Sequence, residues 1–308
     1  MVRLDGGTPV PAPLRGGIVA LGNFDGFHLG HQAVAGATIA RARAEGRPAL
    51  IATFDPHPVR FFKPDAAPFR LTTLDQRERL FADAGADAML VFRFDAALAS
   101  LDARAFVEQR LIGLIGAGGV VTGEDFTFGH KRSGNIDVLR TLGAELGFSV
   151  ETVGPVAFDG APVSSSRIRE ALQAGRPRDA AALLTRPFAV QGVVQPGAQL
   201  GRTIGYPTAN LDMGPYLRPA YGIYAVRGRL ADGRILDGAA NLGIRPTFEP
   251  PIELLEAYFF DFSGDLYGQT IEVELIEYLR PEAKFDTLEA LQAQMAEDCE
   301  RARTLLQP

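Results

Sequence analysis

The chain has 308 residues, 46% of them hydrophobic and 22% charged, a balance that excludes disorder and allows one large domain or two ordinary ones. A formal net charge of −6 weighs against a nucleic-acid partner, because a phosphate backbone calls for concentrated Lys and Arg, yet it leaves room for a small anionic ligand. No apolar run reaches the roughly 18 residues of a membrane span. The opening MVRLDGGTPVPAPL lacks the order of a secretory signal, and a single cysteine, Cys299, suits a reducing, cytoplasmic setting.

In chain order, GIVALGN predicts a strand that runs into the helix HLGHQAVAGATIARARAEG. The strands PALIATF and AMLVFRF follow, separated by the helix LDQRERLFADAG. Then come the helix DARAFVEQRLIGLIG, the strand GGVVTG, the helix NIDVLRTLGAELG and the strand FSVETVGPV. Alternation of this kind, with continuously apolar strands, predicts an α/β domain around a mostly parallel sheet buried on both faces. After Pro187 the pattern changes to short alternating strands: FAVQGVVQPG, YGIYAVRGRL, ILDGAANLG, IELLEAYFFDF and TIEVELIEYL. Asp232–Gly233 joins the second to the third as a hairpin. We expect a small antiparallel β-barrel there. It closes with the helix DTLEALQAQMAEDCERARTLL, where Asp286 and Glu289 stand at capping-box spacing. Leu288, Leu291, Met295, Cys299, Ala302 and Leu306 line one face of that helix, which makes Cys299 a core residue. The boundary falls near Thr185–Arg186–Pro187, dividing the chain into 1–185 and 186–308.

GNFDGFHLGH, from Gly22 to His31, holds two of the four histidines at the start of the first helix. A metal, a phosphate and plain packing are the available readings. A metal needs three or four ligands, and neither a cysteine cluster nor a third nearby histidine supplies them. A strand-to-helix turn offers unpaired N–H groups and a positive dipole end, so the phosphate reading accounts best for the position. Asn23 and Asp25 suit the chemistry of a turn. Ser164, Ser165 and Arg167 open the helix SSRIREALQAG, a second N-terminal anion site. Asp55 and His57 lie in a loop stiffened by two prolines. Asp125 and Phe126 follow a strand, where ligands gather in open α/β sheets. No G-x-x-x-x-G-K-[ST] occurs, so a P-loop kinase is excluded.

HLGH, TFDPHP (Thr53–Pro58), GEDFTFG (Gly123–Gly129) and VSSSRIREAL (Val163–Leu172) together resemble the adenylyltransferase half of bacterial bifunctional riboflavin kinase/FAD synthetases. Val163 and Ser166 depart mildly from that family's I-S-S-T-R-I-R. GRTIGYPTANL (Gly201–Leu211), NLGIRPTF (Asn241–Phe248), LLEAYFFDF (Leu254–Phe262) and GDLYG (Gly264–Gly268) resemble its riboflavin kinase domain. The resemblance implies a Rossmann-like nucleotidyltransferase domain before a riboflavin kinase barrel. It implies two reactions: riboflavin and ATP give FMN and ADP, then FMN and ATP give FAD and pyrophosphate. It implies ATP contacts from Gly22, Asn23, Phe24, Asp25, Ser164 and Ser165 in one half, and from Gly201, Arg202, Gly205 and Pro207 in the other. Asp55, His57, Asp125, Phe126 and Arg245 are the implied flavin contacts, and the last helix is expected beside the flavin site. Thr208 and Asn210, pointing the same way two residues apart on a strand, offer oxygen ligands to Mg²⁺.

The chemistry of the two acceptors differs. The FMN phosphate, with a second pKa of about 6, arrives ionised. His28, His31 and Arg167 are therefore expected to stabilise phosphate charge and not to abstract a proton. The 5′-hydroxyl of riboflavin is neutral and requires a carboxylate. Glu256 occupies that place in a pattern nearer E-x-H-L-x-D-F, with Tyr258 and Phe259 replacing His and Leu. Glu253 is its rival, on the opposite strand face. The competing functions are a flavin carrier or regulator without catalysis, and a nucleotidyltransferase with another acceptor. The expected partners are riboflavin, FMN and ATP, with neither nucleic acid nor membrane, and the oligomeric state is open.

Overall fold

A computed structural model describes residues 1–197, 204–245 and 252–307. The chain forms two compact units, Met1–Ala66 with Leu74–Ser164, and Ala67–Thr73 with Ser165–Pro308.

The first unit is built on β1 (Val2–Asp5), β2 (Ile18–Leu21), β3 (Ala49–Asp55), β4 (Ala88–Arg93), β5 (Gly119–Gly123) and β6 (Ser149–Val153). They form one sheet in the order β1-β4-β3-β2-β5-β6, and every pairing is parallel. Alternate side chains serve opposite faces. Ile18, Ala20, Ile51 and Met89 pack with Val34 and Ile39 of α1 (Leu29–Glu45) and with Phe81, while Val19, Leu21, Leu50 and Leu90 pack with Phe106, Leu111 and Leu139. Both faces are covered, which is why the strands read as unbroken apolar runs. The chain goes from β2 outward to β3, then returns across the sheet to β5 on the other side of β2. That reversal opens a crevice at the carboxyl ends of β2 and β5, the usual ligand position in such sheets.

Short α2 (Pro58–Phe62) follows β3, α3 (Leu74–Ala84) carries Phe81, and α4 (Ala96–Ser100) follows β4. Three features here differ from expectation. VRLD forms the edge strand β1, which its short, polar pattern does not announce and which exists through pairing with β4. The helix expected over DARAFVEQRLIGLIG begins as α5 (Ala103–Phe106) and continues as a wider π-helix over Val107–Ile115. After α6 (Ile136–Leu146), the segment preceding Ser164 adds a small hairpin, β7 (Ala157–Phe158) with β8 (Ala161–Pro162).

The second unit begins with α7 (Ser165–Gln173) and α8 (Pro177–Leu184), followed by β9 (Phe188–Val193), β10 (Ala209–Asp212), β11 (Gly222–Arg229), β12 (Ile235–Arg245), β13 (Ile252–Phe259) and β14 (Thr270–Arg280). The sheet order is β10-β13-β12-β11-β14-β9, antiparallel throughout. An antiparallel bridge from Gln195 to Asn210 joins the two ends into a barrel, with the Gln195 N–H donating to the Asn210 carbonyl at 2.9 Å. Leu211, Tyr224, Leu242, Leu255, Ala257 and Val273 fill the interior and are buried. The Ala67–Thr73 segment lies along this unit: Arg70 N–H donates to the Pro215 carbonyl at 3.1 Å, and Leu217 N–H donates to the Arg70 carbonyl at 2.8 Å. Arg169 is the clamp for this segment, since its Nε donates to the Phe69 carbonyl at 2.8 Å and its guanidinium lies 5.3 Å from the Phe69 ring.

The final helix, α9 (Leu288–Leu306), packs on the outer face of β11 and β12, where the small Ala225 and Ala239 admit Ala302 and Leu306. Its cap corrects the sequence reading. The Thr287 hydroxyl accepts from the Ala290 N–H at 3.1 Å, so Thr287 holds the N-cap and the Asp286–Glu289 box is one residue out of register. The apolar stripe is also shorter than expected, because Leu288 is 51% exposed. Cys299 is half-buried at the edge of the core, packed against the cluster with Tyr258 and Ala239, and burial pushes its thiol up to about 11. What ties the helix down is ionic. Arg280 of β14 donates to both carboxylate oxygens of Asp298, at 2.7–3.1 Å, with the Asp298 side chain 8% exposed. Asp298→Ala leaves that guanidinium without its counter-charge, a loss of about 3 kcal/mol for a buried pair. Hydrogen-exchange protection across α9 is expected to fall roughly 100-fold, with the amides of β2 and β3 unchanged.

Candidate active sites

In the first unit the histidine turn is formed by a strained backbone held from several sides. Phe24 and Phe27 adopt positive φ values of 50° and 43°, a region that costs a non-glycine residue on the order of 1 kcal/mol. Burial of both rings offsets that cost: Phe24 meets Phe81 edge-on at 5.7 Å and His31 at 5.3 Å. The Asn23 carbonyl accepts from the Thr53 hydroxyl at 2.8 Å and from Arg77 at 3.0 Å, and Arg77 also donates to Thr53. The chain is thereby pinned as it leaves β2. The Asn23 Oδ1 is buried without a hydrogen-bond partner.

His28 is the N-cap of α1, its Nδ1 accepting from the His31 N–H at 3.4 Å, and the two imidazoles stack at 3.7 Å. An accepting Nδ1 carries no proton, so the neutral ring bears its hydrogen on Nε2. The cap sets the tautomer. Gly30 lies under this ring, where an added Cβ would stand 3.3 Å from it. Asp25 is 4% exposed in the same turn. Asp55 ends β3, and His57 caps α2 with Nδ1 accepting from Val59 N–H at 3.2 Å. Asp125 and Phe126 follow β5, with Phe126 stacked on Phe128 at 5.6 Å. Gly22–Asp25, Asp55 and Asp125 thus leave the same, carboxyl edge of the sheet. Ser164 closes the first unit, and Ser165 and Arg167 belong to α7 in the second.

In the second unit the decisive arrangement is a row of cross-strand partners. Glu256 of β13 pairs with Asn210 of β10 on one side and with Asn241 of β12 on the other. Direct partners in an antiparallel ladder point to the same face. Here it is the outer face, which Tyr258 and Ala239 share with α9. Asn210 is 4% exposed; its Nδ2 faces the Gln195 carbonyl at 3.5 Å and its Oδ1 has no hydrogen-bond partner. The carbonyl opposite Nδ2 forbids the flipped amide, so an oxygen is what this residue leaves free. The Asn241 Oδ1 is likewise buried and unpartnered. In the sequence, Asn241 is marked only by being a polar side chain in the middle of an apolar strand.

Glu253 is a different group altogether. It accepts from Arg218 Nε at 2.5 Å and from the Tyr221 hydroxyl. Burial alone would raise its pKa, but the hydrogen bonds from Tyr221 and Arg218 hold it below the usual carboxylate range. Burial and Glu253 together push Tyr221 up to about 12. Glu253 is consumed in fastening the loop before β11.

Thr208 precedes β10 and lines a small, open pocket of about 60 Å³ with Val194, Pro207, Ala257, Phe259 and Leu266. Gly205 has φ +88°, a conformation suited to glycine. Tyr206 meets Tyr258 edge-on at 5.1 Å. Gly201 and Arg202 lie outside the described residues, and Arg245 ends β12 with its side chain outside them as well.

The family model described as FAD synthetase matches residues 10–167, and the one described as riboflavin kinase matches 184–306. The bifunctional riboflavin kinase/FMN adenylyltransferase of Haemophilus influenzae is 38% identical over 290 residues, 94% of each chain. The chain belongs to that family. Its relative in Pseudomonas fluorescens, of the same description, is 39% identical, covering 96% of this chain and 94% of the other. The fold matches a Streptococcus pneumoniae crystal structure described as a macrolide-efflux protein, with a TM-score of 0.87 and 30% identity over 98% of this chain and 99% of that one. Among the described residues no helix is long and apolar enough to cross a membrane. As a bifunctional riboflavin kinase/FMN adenylyltransferase, the chain makes FMN from riboflavin and FAD from FMN.

Gly197 packs directly on the Asn210 amide: a Cβ there would stand 2.3 Å from Nδ2. Gly197→Ala must push the amide aside, and a misplacement of about 1 Å costs on the order of 100-fold in rate. We expect riboflavin phosphorylation to fall by about that factor, read by flavin chromatography, while FAD formation from supplied FMN stays at its original rate.

Proposed function

We propose that the two activities divide between residues 1–185 and 186–308, and that each half meets its acceptor in the way that acceptor's charge demands. In the kinase half, Glu256 takes the proton of the riboflavin 5′-hydroxyl as it attacks the γ-phosphate of ATP. The single observation that favours Glu256 over Glu253 is its place in the cross-strand row. Glu253 is locked by Arg218 and Tyr221, whereas Glu256 stands in a row beside the unpartnered Asn210 oxygen. Thr208 and Asn210 would hold Mg²⁺: the donor set is hard oxygen, and the buried Asn210 Oδ1 fits it. When bound, the ion supplies charge neutralisation on the transferred phosphoryl group. ATP is placed along Pro207 and Thr208, with Gly201, Arg202 and Gly205 near the phosphates and Arg245 toward the flavin.

In the adenylyl half no base is needed, because the attacking FMN phosphate is already ionised. His28, whose ring is oriented by its cap bond, acts with His31 and Arg167 to stabilise charge on the α-phosphate and the departing pyrophosphate. Gly22, Asn23, Phe24, Asp25, Ser164 and Ser165 are the nucleotide contacts in this reading. Asp55, His57, Asp125 and Phe126 take FMN at the carboxyl edge of the sheet. The reaction is read as cytoplasmic, where the lone thiol stays reduced.

A reciprocal experiment tests the division. Glu256→Gln is expected to lower FMN formation about 1,000-fold, within the range for losing a general base, while leaving FAD formation from supplied FMN intact. His28→Ala with His31→Ala is expected to do the reverse. Product analysis of ATP, Mg²⁺ and riboflavin, then of ATP, Mg²⁺ and FMN, reads both. Loss of both activities in a folded Glu256→Gln protein would defeat the assignment.

A further inference from the structure

Asn241 is half-buried but carries a buried amide oxygen for which the reaction as described so far has no use. It stands on the outer face of β12 as the direct partner of Glu256, its own next neighbour across β11 is the apolar Ile223, and its Oδ1 has no hydrogen-bond partner. An unpaired buried amide oxygen costs about 1–3 kcal/mol, which is restored when a donor arrives. Asn210 presents the same feature on the opposite side of Glu256.

One ion does not use both oxygens. β13 lies between β10 and β12, so the two asparagine backbones are separated by two strand spacings, about 9.6 Å. A magnesium ion binds oxygens at about 2.0–2.1 Å and brings adjacent ligands within about 3 Å of each other. Asn210, next to Thr208, is on the nucleotide side. Asn241 is on the far side of the carboxylate, toward the strands covered by α9.

We propose that Asn241 is a specificity-determining residue of the kinase reaction, its Oδ1 accepting a hydrogen bond from the secondary hydroxyl next to the riboflavin 5′-hydroxyl. Cross-strand partners have Cβ atoms about 4.5–5.5 Å apart, so Glu256 and Asn241 can take neighbouring hydroxyls of one polyol chain at once. Two consequences follow from that spacing. The 5′-oxygen is held against Glu256 and in line with the γ-phosphate, and an acceptor lacking the adjacent hydroxyl leaves Asn241 unsatisfied. A site that hydrogen-bonds a substrate hydroxyl discriminates strongly against the analogue without it.

The proposal rests on Glu256 being the base, and the experiment separates the two. kcat/KM is measured for riboflavin and for 4′-deoxyriboflavin with the original chain, Asn241→Leu, Asn241→Ser and Glu256→Gln. The original chain is expected to prefer riboflavin by roughly 10- to 100-fold, the factor that an unpaired acceptor commands. In Asn241→Leu the ratio collapses toward one, chiefly because riboflavin turnover falls; Asn241→Ser, which keeps an acceptor oxygen, restores part of the preference. FAD formation from supplied FMN verifies folding of each variant. A ratio unchanged in Asn241→Leu overturns the proposal. So does a tenfold or greater rise in the Mg²⁺ concentration for half-maximal rate, which would make Asn241 a metal ligand. Glu256→Gln that still phosphorylated riboflavin at the original rate would remove the base while leaving the Asn241 ratio to be read separately.

Discussion

The register of β13 between β10 and β12 is the constraint on which the kinase half depends. Side chains alternate across a strand, so a slip of one residue would send Glu256 into the barrel and bring Ala257 out. What prevents the slip is the interior: Leu255 and Ala257 are fully buried beside Leu211 and Leu242. Hydrophobic packing on the inner face therefore sets, to within a fraction of a strand spacing, where the polar row stands on the outer one. The Gln195–Asn210 bridge adds a second restraint on Asn210 by pairing its backbone where the barrel closes.

The other half positions its polar groups differently. There the sheet is parallel and buried on both faces, and the functional groups stand where strands give way to helices. Such an end supplies oriented N–H groups at no side-chain cost, but only if the turn is rigid. Thr53 and Arg77 supply that rigidity by taking the Asn23 carbonyl, and the Phe24–Phe81 contact anchors the turn in the core. A scaffold of dipoles suits an acceptor that arrives charged. A carboxylate between two amides on a stiff ladder suits one that gives up a proton as it attacks.

Much of this was legible in the sequence, and for identifiable reasons. Continuous apolar strands alternating with amphipathic helices, then period-two strands around Asp232–Gly233, report directly on burial geometry, and the parallel sheet and the antiparallel barrel follow. His28 and His31 stood out because Gly-rich chain surrounds them. Features created by tertiary contact were not legible. β1 owes its existence to β4, and Thr287 displaces Asp286 as the cap of α9 by a single residue of register. A polar side chain within an apolar strand marks Asn241, but its proposed role was not legible there, because that role depends on a strand 15 positions further on, at Glu256. The pairing of Glu253 with Arg218 and Tyr221 was equally invisible, although alternation already placed Glu253 on the other face.

Cys299 gives the molecule a built-in probe. It is the one sulfhydryl in the chain, half-buried on the face of α9 that rests on β11 and β12, with burial holding its thiol protonated at neutral pH. A protonated, partly covered thiol reacts slowly with disulfide reagents, and faster when it is uncovered. The rate of labelling by such a reagent therefore clocks how often the terminal helix lifts from the sheet, and bound flavin or nucleotide would register as a change in that rate without any introduced label.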